Sequence, residues 1–278
     1  MSSAQRTTQT TPVLIVGGGP TGLLASLLLS RFNIDHILIE QRHAPQAAPA
    51  AHVINTRTME ILRSAGLNTE EFYALNKHGD AQFISWVNGP RDHALGKYAL
   101  MGDLEDPEDL QRFMHRAAAS PEHITNISQN LFEDALLGQA TRRNHQDIRF
   151  GHSWQGFVDG DTRRVRVLQP DGSAYEVNAA YVLAADGASS NIVRTLGITR
   201  SGPPSIATFL NMSCEIDLSQ IAGEQQSILY WCLNPSAPGT LIVHDPKALT
   251  VYMRPLYEPY ETAEEYTDAR CDALVKEM

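Results

Sequence analysis

Long apolar runs are scarce in this 278-residue sequence. The longest, Leu23 to Leu29, already contains Ser26 and stops at Ser30–Arg31. It falls far short of the ~20 residues a membrane-crossing helix needs. Cysteine is scarce too: Cys214, Cys232 and Cys271 are three, an odd number, and never in CxxC spacing. That excludes a disulfide framework and a thiolate zinc site. The ten histidines are dispersed, with no HxH or HExxH pair, so no metal site is expected. Positive charge is in deficit, 22 Lys and Arg against 32 Asp and Glu, a net charge of −10. An acidic chain has no long-range attraction to nucleic acid or anionic lipid. The first eleven residues are polar and match neither a signal peptide nor an Arg-rich transit helix. They read as a frayed tail, and the protein as cytoplasmic.

What remains is an ordinary globular composition. Apolar residues make up 42% and charged residues 19%, a balance that does not describe a disordered chain. The length suits one large domain or two interleaved ones. Pro12 opens an apolar strand, Val13–Val16, which runs into a Gly-rich turn. A Leu-rich helix is expected from Thr21 to Phe32, with Asn33 as its stop. His36–Glu40 reads as a second short strand, completing a strand–helix–strand crossover with parallel strands. Asn55 caps a helix over Thr56–Ala65 that Gly66 ends. Residues 76–110 read as irregular apart from a strand at Ala81–Val87, and Ile127–Arg142 as helix. Asp147–Val177, with turns at Asp159-Gly160 and Asp171-Gly172, reads as a small antiparallel hairpin layer. Tyr181–Ala185 reads as a buried strand, and Glu261 onward as helix. Between these, Ile206–Ile216, Ser227–Leu233, Thr240–His244 and Leu249–Arg254 alternate as an antiparallel sheet.

The chemistry is carried by Gly17-Gly18-Gly19-Pro20-Thr21-Gly22, a G-x-G-x-x-G turn between strand and helix. The first glycine permits the turn, the second lets a pyrophosphate approach the backbone, and the third lets helix pack on strand. The helix N-terminus offers free N–H groups and a positive dipole end to phosphates. Glu40 lies 40 − 22 = 18 residues beyond the last glycine, at the end of the second strand. A carboxylate there can accept the ribose hydroxyls of an adenosine and disfavours a 2′-phosphate, which points to FAD or NAD. Asp186-Gly187 follows an apolar strand; as residues alone, the pair is either a simple turn or part of the same site.

Together these segments resemble the FAD-dependent aromatic-ring hydroxylases of the phenol and chlorophenol type. Val53-Ile-Asn-Thr-Arg-Thr-Met-Glu-Ile-Leu-Arg63 with Gly66-Leu67 is the most specific stretch. Ser120-Pro121, Ile127–Leu136, Asp186-Gly187 and Leu229–Pro235 add to it, so the resemblance covers residues 12–256. It implies an α/β fold: a discontinuous Rossmann-like FAD-binding domain with a parallel sheet, plus an antiparallel-sheet substrate domain. The FAD-binding domain is expected at 12–80 and 111–202, and the substrate portion at 81–110 and 203–278. FAD-contacting residues are expected at Gly17, Gly19, Pro20, Thr21, Gly22, Glu40, Gln41, Gln129, Asp186 and Gly187.

The implied reaction hydroxylates a phenol with NAD(P)H and O2 through a flavin hydroperoxide, and such proteins can pair as homodimers. His52 is the candidate to take the phenol proton, against a purely backbone-bonding role. Tyr230, Trp231 and Tyr252 either wall the substrate pocket, with Tyr252 a second catalytic candidate, or are sheet core. Three departures stand out. Ala50 precedes Ala51-His52 where the family has Arg. Val193 stands seven residues after Asp186 where the family has Arg, and Arg194 follows. The family's Gly-Asp-Ala-x-His motif with its Gly-rich helix start is missing, so the FAD envelope is expected to be incomplete. Two other readings follow: a truncated, catalytically inactive FAD-binding remnant, and an NAD-dependent oxidoreductase.

Overall fold

The apolar stretches on either side of the glycine turn pair side by side as parallel strands. Strands are numbered β1–β14 and helices α1–α7 along the chain. The computed structural model describes residues 8–78, 83–203, 205–220 and 226–278. Its opening elements are β1 (Thr8–Val16), α1 (Pro20–Arg31) and β2 (His36–Glu40). The described residues fall into two compact units. The first draws on 8–47, 61–72 and 129–201, the second on 48–60, 73–128 and 202–278. The expected boundaries placed 48–60, 73–80 and 111–128 with the first; here 48–60, 73–78 and 111–128 group with the second, and 79–80 lie outside the described residues. One reason is the pairing of β3 (Val53–Ile54) with β6 (Thr125–Asn126).

In the first unit a single six-stranded sheet runs β7 (Gln146–Phe150), β2, β1, β10 (Ala174–Ala184), β9 (Asp161–Leu168), β8 (Ser153–Val158). The pairs β7–β2, β2–β1 and β1–β10 are parallel; β10–β9 and β9–β8 are antiparallel. Asp147–Val177 is therefore not a separate hairpin layer. Its first strand joins β2 in parallel, and its last continues into β10. The expected tail is also shorter. Thr8–Thr11 pair with Glu176–Ala179 of β10, so β1 begins four residues before Pro12. Residues 1–7 lie outside the described part. One face of the sheet buries Leu14, Val16, Ile37, Ile39, Val165, Val177 and Ile192. Helix α1 packs on α5 (Gln129–Ala140), with Leu23, Leu27, Leu136 and Ala140 buried. Each such leucine contributes about 1.5–3 kcal/mol. The carboxyl end of β10 departs from the expected burial: Tyr181 is 74% exposed and Leu183 41%.

The second unit holds a six-stranded sheet in the order β11 (Thr208–Cys214), β14 (Leu249–Leu256), β13 (Gly239–Asp245), β12 (Leu229–Cys232), β4 (Phe83–Val87), β5 (Gly96–Ala99). All pairs are antiparallel except β12–β4. Ala81 and Gln82 of the expected strand lie outside the described residues. The stretch read as irregular also contains β5 and the start of α4 (Pro107–Ala119), which Asp106 caps by accepting from the N–H groups of Glu108 and Asp109. Helices α2 (Thr56–Ser64), α3 (Thr69–Tyr73) and α6 (Asn191–Thr195) are short. Asn55 caps α2 through Thr58, as expected, and Gly66 after it takes φ +78°. The chain after Glu261 is not one helix. Ala263–Glu265 is a 3-10 turn, and α7 (Asp268–Glu277) starts only after Thr267. Glu261 is spent on Arg254 and Tyr266, which pins that segment in a non-helical path. No helix among the described residues is long and apolar enough to cross a membrane.

A polar tie crosses the buried side of the crossover. The Ser26 hydroxyl donates to His36 Nε2 at 2.7 Å, and His36 Nδ1 donates to the Ile34 carbonyl at 2.9 Å. Both side chains are buried, and burial pulls the His36 pKa below its ordinary value. Ser26→Ala leaves the Nε2 lone pair without a donor and is expected to cost about 1–3 kcal/mol, read as a lower urea midpoint at unchanged slope. The neutral ring contributes stability above about pH 6.5 that is lost as pH falls through its lower folded value. Urea midpoints taken from pH 7.5 to pH 5 should therefore fall, and fall less in His36→Gln.

Candidate functional site

Three parallel strand ends meet where the sequence placed its glycines. Backbone hydrogen bonds run from Gly17 N to the Ile39 carbonyl at 2.8 Å and from Ala185 N to the Val16 carbonyl at 2.8 Å. The carboxyl ends of β2, β1 and β10 are thus stitched together. The chain leaves β1 for β2 on one side and returns to β10 on the other. In open α/β sheets such a switch point is where ligands bind. Gly17, at φ +113°, permits this approach: a Cβ there would lie 2.2 Å from the Ala185 carbonyl oxygen. A Cβ on Gly22 would lie 1.9 Å from the Gly17 oxygen. Both glycines are demanded by the protein's own packing.

Gly19 is different. A Cβ there would meet nothing within 4 Å, and its φ of −76° suits any residue. Nothing in the protein needs a glycine at this position, whereas a phosphate brought close to the backbone does. Gly19 is also the N-cap of α1, without a side-chain cap, followed by Pro20 and Thr21 and with no acidic residue in the first turn. The first N–H groups of α1 are left for an anion. The residues therefore fit a dinucleotide pyrophosphate.

Glu40 sits beside this turn, 6% exposed. Its Oε2 accepts from Gly18 N at 2.6 Å, and its Oε1 from Arg42 N at 2.9 Å and Arg42 Nε at 3.0 Å. Burial works to raise its pKa, but the hydrogen bonds from Arg42 and Gly18 outweigh it and hold the carboxyl below its ordinary value. An ionised carboxylate offers about four acceptor positions. Three are used, which leaves room for one ribose hydroxyl on Oε2. Accepting both requires Arg42 to release Oε1.

Arg42 also reaches Glu133 Oε2 at 3.3 Å from α5, where Glu133 is 1% exposed. The same carboxylate accepts from Gln129 Nε2 at 2.9 Å and Gln46 N at 3.4 Å. So Gln129 belongs to a chain of contacts that runs through Glu133 and Arg42 to Glu40. The sequence reading named Gln129 and missed Arg42 and Glu133. The available signal was a lone carboxylate four residues after Gln129 on an otherwise apolar helix face. Gln41, expected beside Glu40, is exposed.

Asp186 and Gly187 follow β10, and the Asp186 N–H lies beside Gly17. The Asp186 carboxylate accepts from Ser190 Oγ at 2.6 Å and Ile192 N at 3.3 Å. It thereby braces the start of α6. Gly187 takes φ +80° with open space around its Cβ position.

His52 and Tyr252 belong to the second unit. His52 Nδ1 pairs with Asn126 Oδ1 at 2.6 Å, so the ring has a specific partner beyond backbone. Burial lowers its pKa, with Asn126 opposing, and the ring is neutral at pH 7. Tyr252 is fully buried and donates to the Pro238 carbonyl at 3.0 Å. Tyr230 is 3% exposed, with its hydroxyl on Ser227 N, while Trp231 is 42% exposed. Tyr230 and Tyr252 are thus sheet core, the second of the two roles the sequence allowed. Among the described residues no group of His, Cys, Asp and Glu is placed to hold a metal ion.

Comparison with known proteins points to the same cofactor. A family model described as an FAD binding domain matches residues 10–278. A 2,4-dichlorophenol 6-monooxygenase of Delftia acidovorans is 29% identical over 232 residues, which cover 82% of this chain and 38% of that protein. Aklavinone 12-hydroxylase DnrF of Streptomyces peucetius is 31% identical over 268 residues, 95% of this chain and 53% of that protein. The flavin-dependent monooxygenase PieE, solved with FAD and substrate, superposes with a TM-score of 0.84 at 26% identity, covering 95% of this chain and 46% of PieE. The chain spans about half the length of such relatives, or less.

The glycines give a test that separates packing from ligand. Gly22→Ala should destabilise the fold, because a backbone oxygen blocks its Cβ. Gly19→Ala should cost about 1 kcal/mol or less as a cap change yet weaken FAD binding at least tenfold. Thermal melts and FAD titrations of the two variants check both outcomes.

Proposed function

The chain belongs to the FAD-binding domain family of flavin-dependent aromatic hydroxylases, and from that premise we propose that it serves in hydroxylating a phenolic ring with FAD, NAD(P)H and O2. The observation that carries the reading is the meeting of Gly19, Glu40 and Asp186-Gly187 at three parallel strand ends. Bound FAD supplies the electron storage and oxygen activation that no protein side chain offers.

The chain's own residues have separable tasks. The first N–H groups of α1 receive the pyrophosphate. Glu40 orients the adenosine through a ribose hydroxyl, and Arg42 with Glu133 keeps that carboxylate ionised and in place. The first unit is the cofactor-holding part, and the second contributes to the substrate side. There His52, held by Asn126 through Nδ1, presents Nε2 as a proton acceptor toward a phenol O–H. A general base of this kind accelerates proton removal by about 10²–10⁴. Because the His52 pKa is lowered, its acceptor is bare at neutral pH and is lost only as pH falls below about 6.5.

The test supplies the protein with FAD, NADH or NADPH, and 2,4-dichlorophenol under 18O2. The expected result is NAD(P)H oxidation accelerated by the phenol, with one labelled oxygen in the ring. His52→Gln should lower the turnover at least tenfold while leaving FAD affinity within twofold. Flavin binding without phenol-dependent oxidation, or oxidation without label in the ring, contradicts the proposed activity.

A further inference from the structure

His52, His78 and His244 lie together in the second unit. The rings of His52 and His244 meet edge to face with centroids 5.6 Å apart. The backbone at Val243 and His244 lies within weak hydrogen-bonding reach of the His78 ring, short of full hydrogen-bond geometry, and each of the three imidazoles lies within electrostatic reach of another. His78 is 7% exposed and His244 4%. Yet neither ring nitrogen of either residue meets hydrogen-bond geometry with a partner. These four atoms are half of the eight buried side-chain N and O atoms left without partners among the described residues, so unmet polarity is concentrated here. Burying such groups unpaired costs about as much as losing a hydrogen bond at each, and native structures seldom retain it without a use.

The backbone shows a second device at the same place. The register between β13 and β14 shifts between Val243 and Asp245, so His244 sits at a bulge. Bulges re-aim a side chain and recur beside functional sites. His52 adds a fixed tautomer. Its Nδ1–H donates to Asn126, which leaves the Nε2 lone pair available. Burial, together with the neighbouring imidazoles, pulls the pKa of both His78 and His244 down to about 4, so the cluster is neutral at pH 7. A neutral imidazole carries one N–H and one bare nitrogen. A carboxylate would set its lone pairs against the bare nitrogens. A hydroxyl, which both donates and accepts, satisfies both kinds. The described His, Cys, Asp and Glu side chains form no group spaced to hold a metal ion.

We propose that His52, His78 and His244 form a binding site for the hydroxyl group of an aromatic ring, with the O–H donating to one bare ring nitrogen and its oxygen accepting from a neighbouring N–H. The proposal rests on the hydroxylase reading for its ligand class and adds His78 and His244 as specificity-determining residues.

The experiment titrates phenol into the full chain labelled with 15N-histidine, without flavin or NAD(P)H, and follows the imidazole nitrogens by NMR. Anisole, the methyl-capped ring, is the control. His52→Asn, His78→Asn and His244→Asn assign the signals, and His145→Asn serves as a surface reference. Phenol should shift at least two of the three imidazoles. Anisole should bind at least tenfold more weakly. His244→Asn should raise the phenol Kd at least tenfold, and His145→Asn should leave it unchanged. The proposal is overturned if phenol moves none of the three rings, since buried water then accounts for them. It is equally overturned if anisole and phenol bind alike. Should a variant fail to fold, the wild-type titration with its anisole control decides alone. Phenol binding elsewhere removes this site and leaves the hydroxylase reading intact. Phenol bound at the three histidines, with no labelled product in the 18O2 assay, removes the activity and leaves the site.

Discussion

The structure of the first unit depends on three backbones coming closer at their ends than side chains would permit. Gly17 has the Ala185 carbonyl where its Cβ would be, and Gly22 has the carbonyl of Gly17. These contacts draw the carboxyl ends of β1, β2 and β10 into one rim. Glu40 is then delivered to the amide of Gly18. The start of α1 beside it has no side-chain cap, and the Cβ position of Gly19 is open. Packing and ligand chemistry are therefore two consequences of one constraint.

Around that rim the carboxylate is managed by charge. Glu40 would be driven toward its neutral form by burial alone. Arg42 reverses this, and Glu133 on α5 holds Arg42 from its other side. A buried carboxylate such as Glu133 is costly unless paired. Here it has a guanidinium, a side-chain amide from Gln129 and a backbone N–H from Gln46. Glu40 is thus fixed by a network that reaches from the second strand through Arg42 to a helix 91 residues further along the chain.

Much of this was legible in the sequence because it is local. The glycine turn, the apolar run into Glu40, the Asn55 cap and the Asp159-Gly160 and Asp171-Gly172 turns each write their geometry into a few adjacent residues. What was not legible depends on partners distant in sequence. Thr8–Thr11 look like a polar tail, yet they are strand because β10 offers an edge to them. Gln146–Phe150 looks like part of a hairpin, yet it pairs in parallel with β2. Glu261 looks like a helix former, but Arg254 and Tyr266 hold it elsewhere. The start of α4 is of another kind, since Asp106-Pro107-Glu108-Asp109 is a local cap signal written in adjacent residues. The pairing of Asn126 with His52 spans 74 residues and left no mark in either segment.

The central claim is that this rim holds the adenosine diphosphate half of FAD. Calorimetric titration of the protein with FAD, ADP and FMN tests it most directly, because FMN carries the flavin without that half. The account predicts that FAD binds, that ADP competes with it for one site, and that FMN binds at least a hundredfold more weakly. Equal affinity for FMN and FAD, or FAD binding that ADP does not displace, would contradict it.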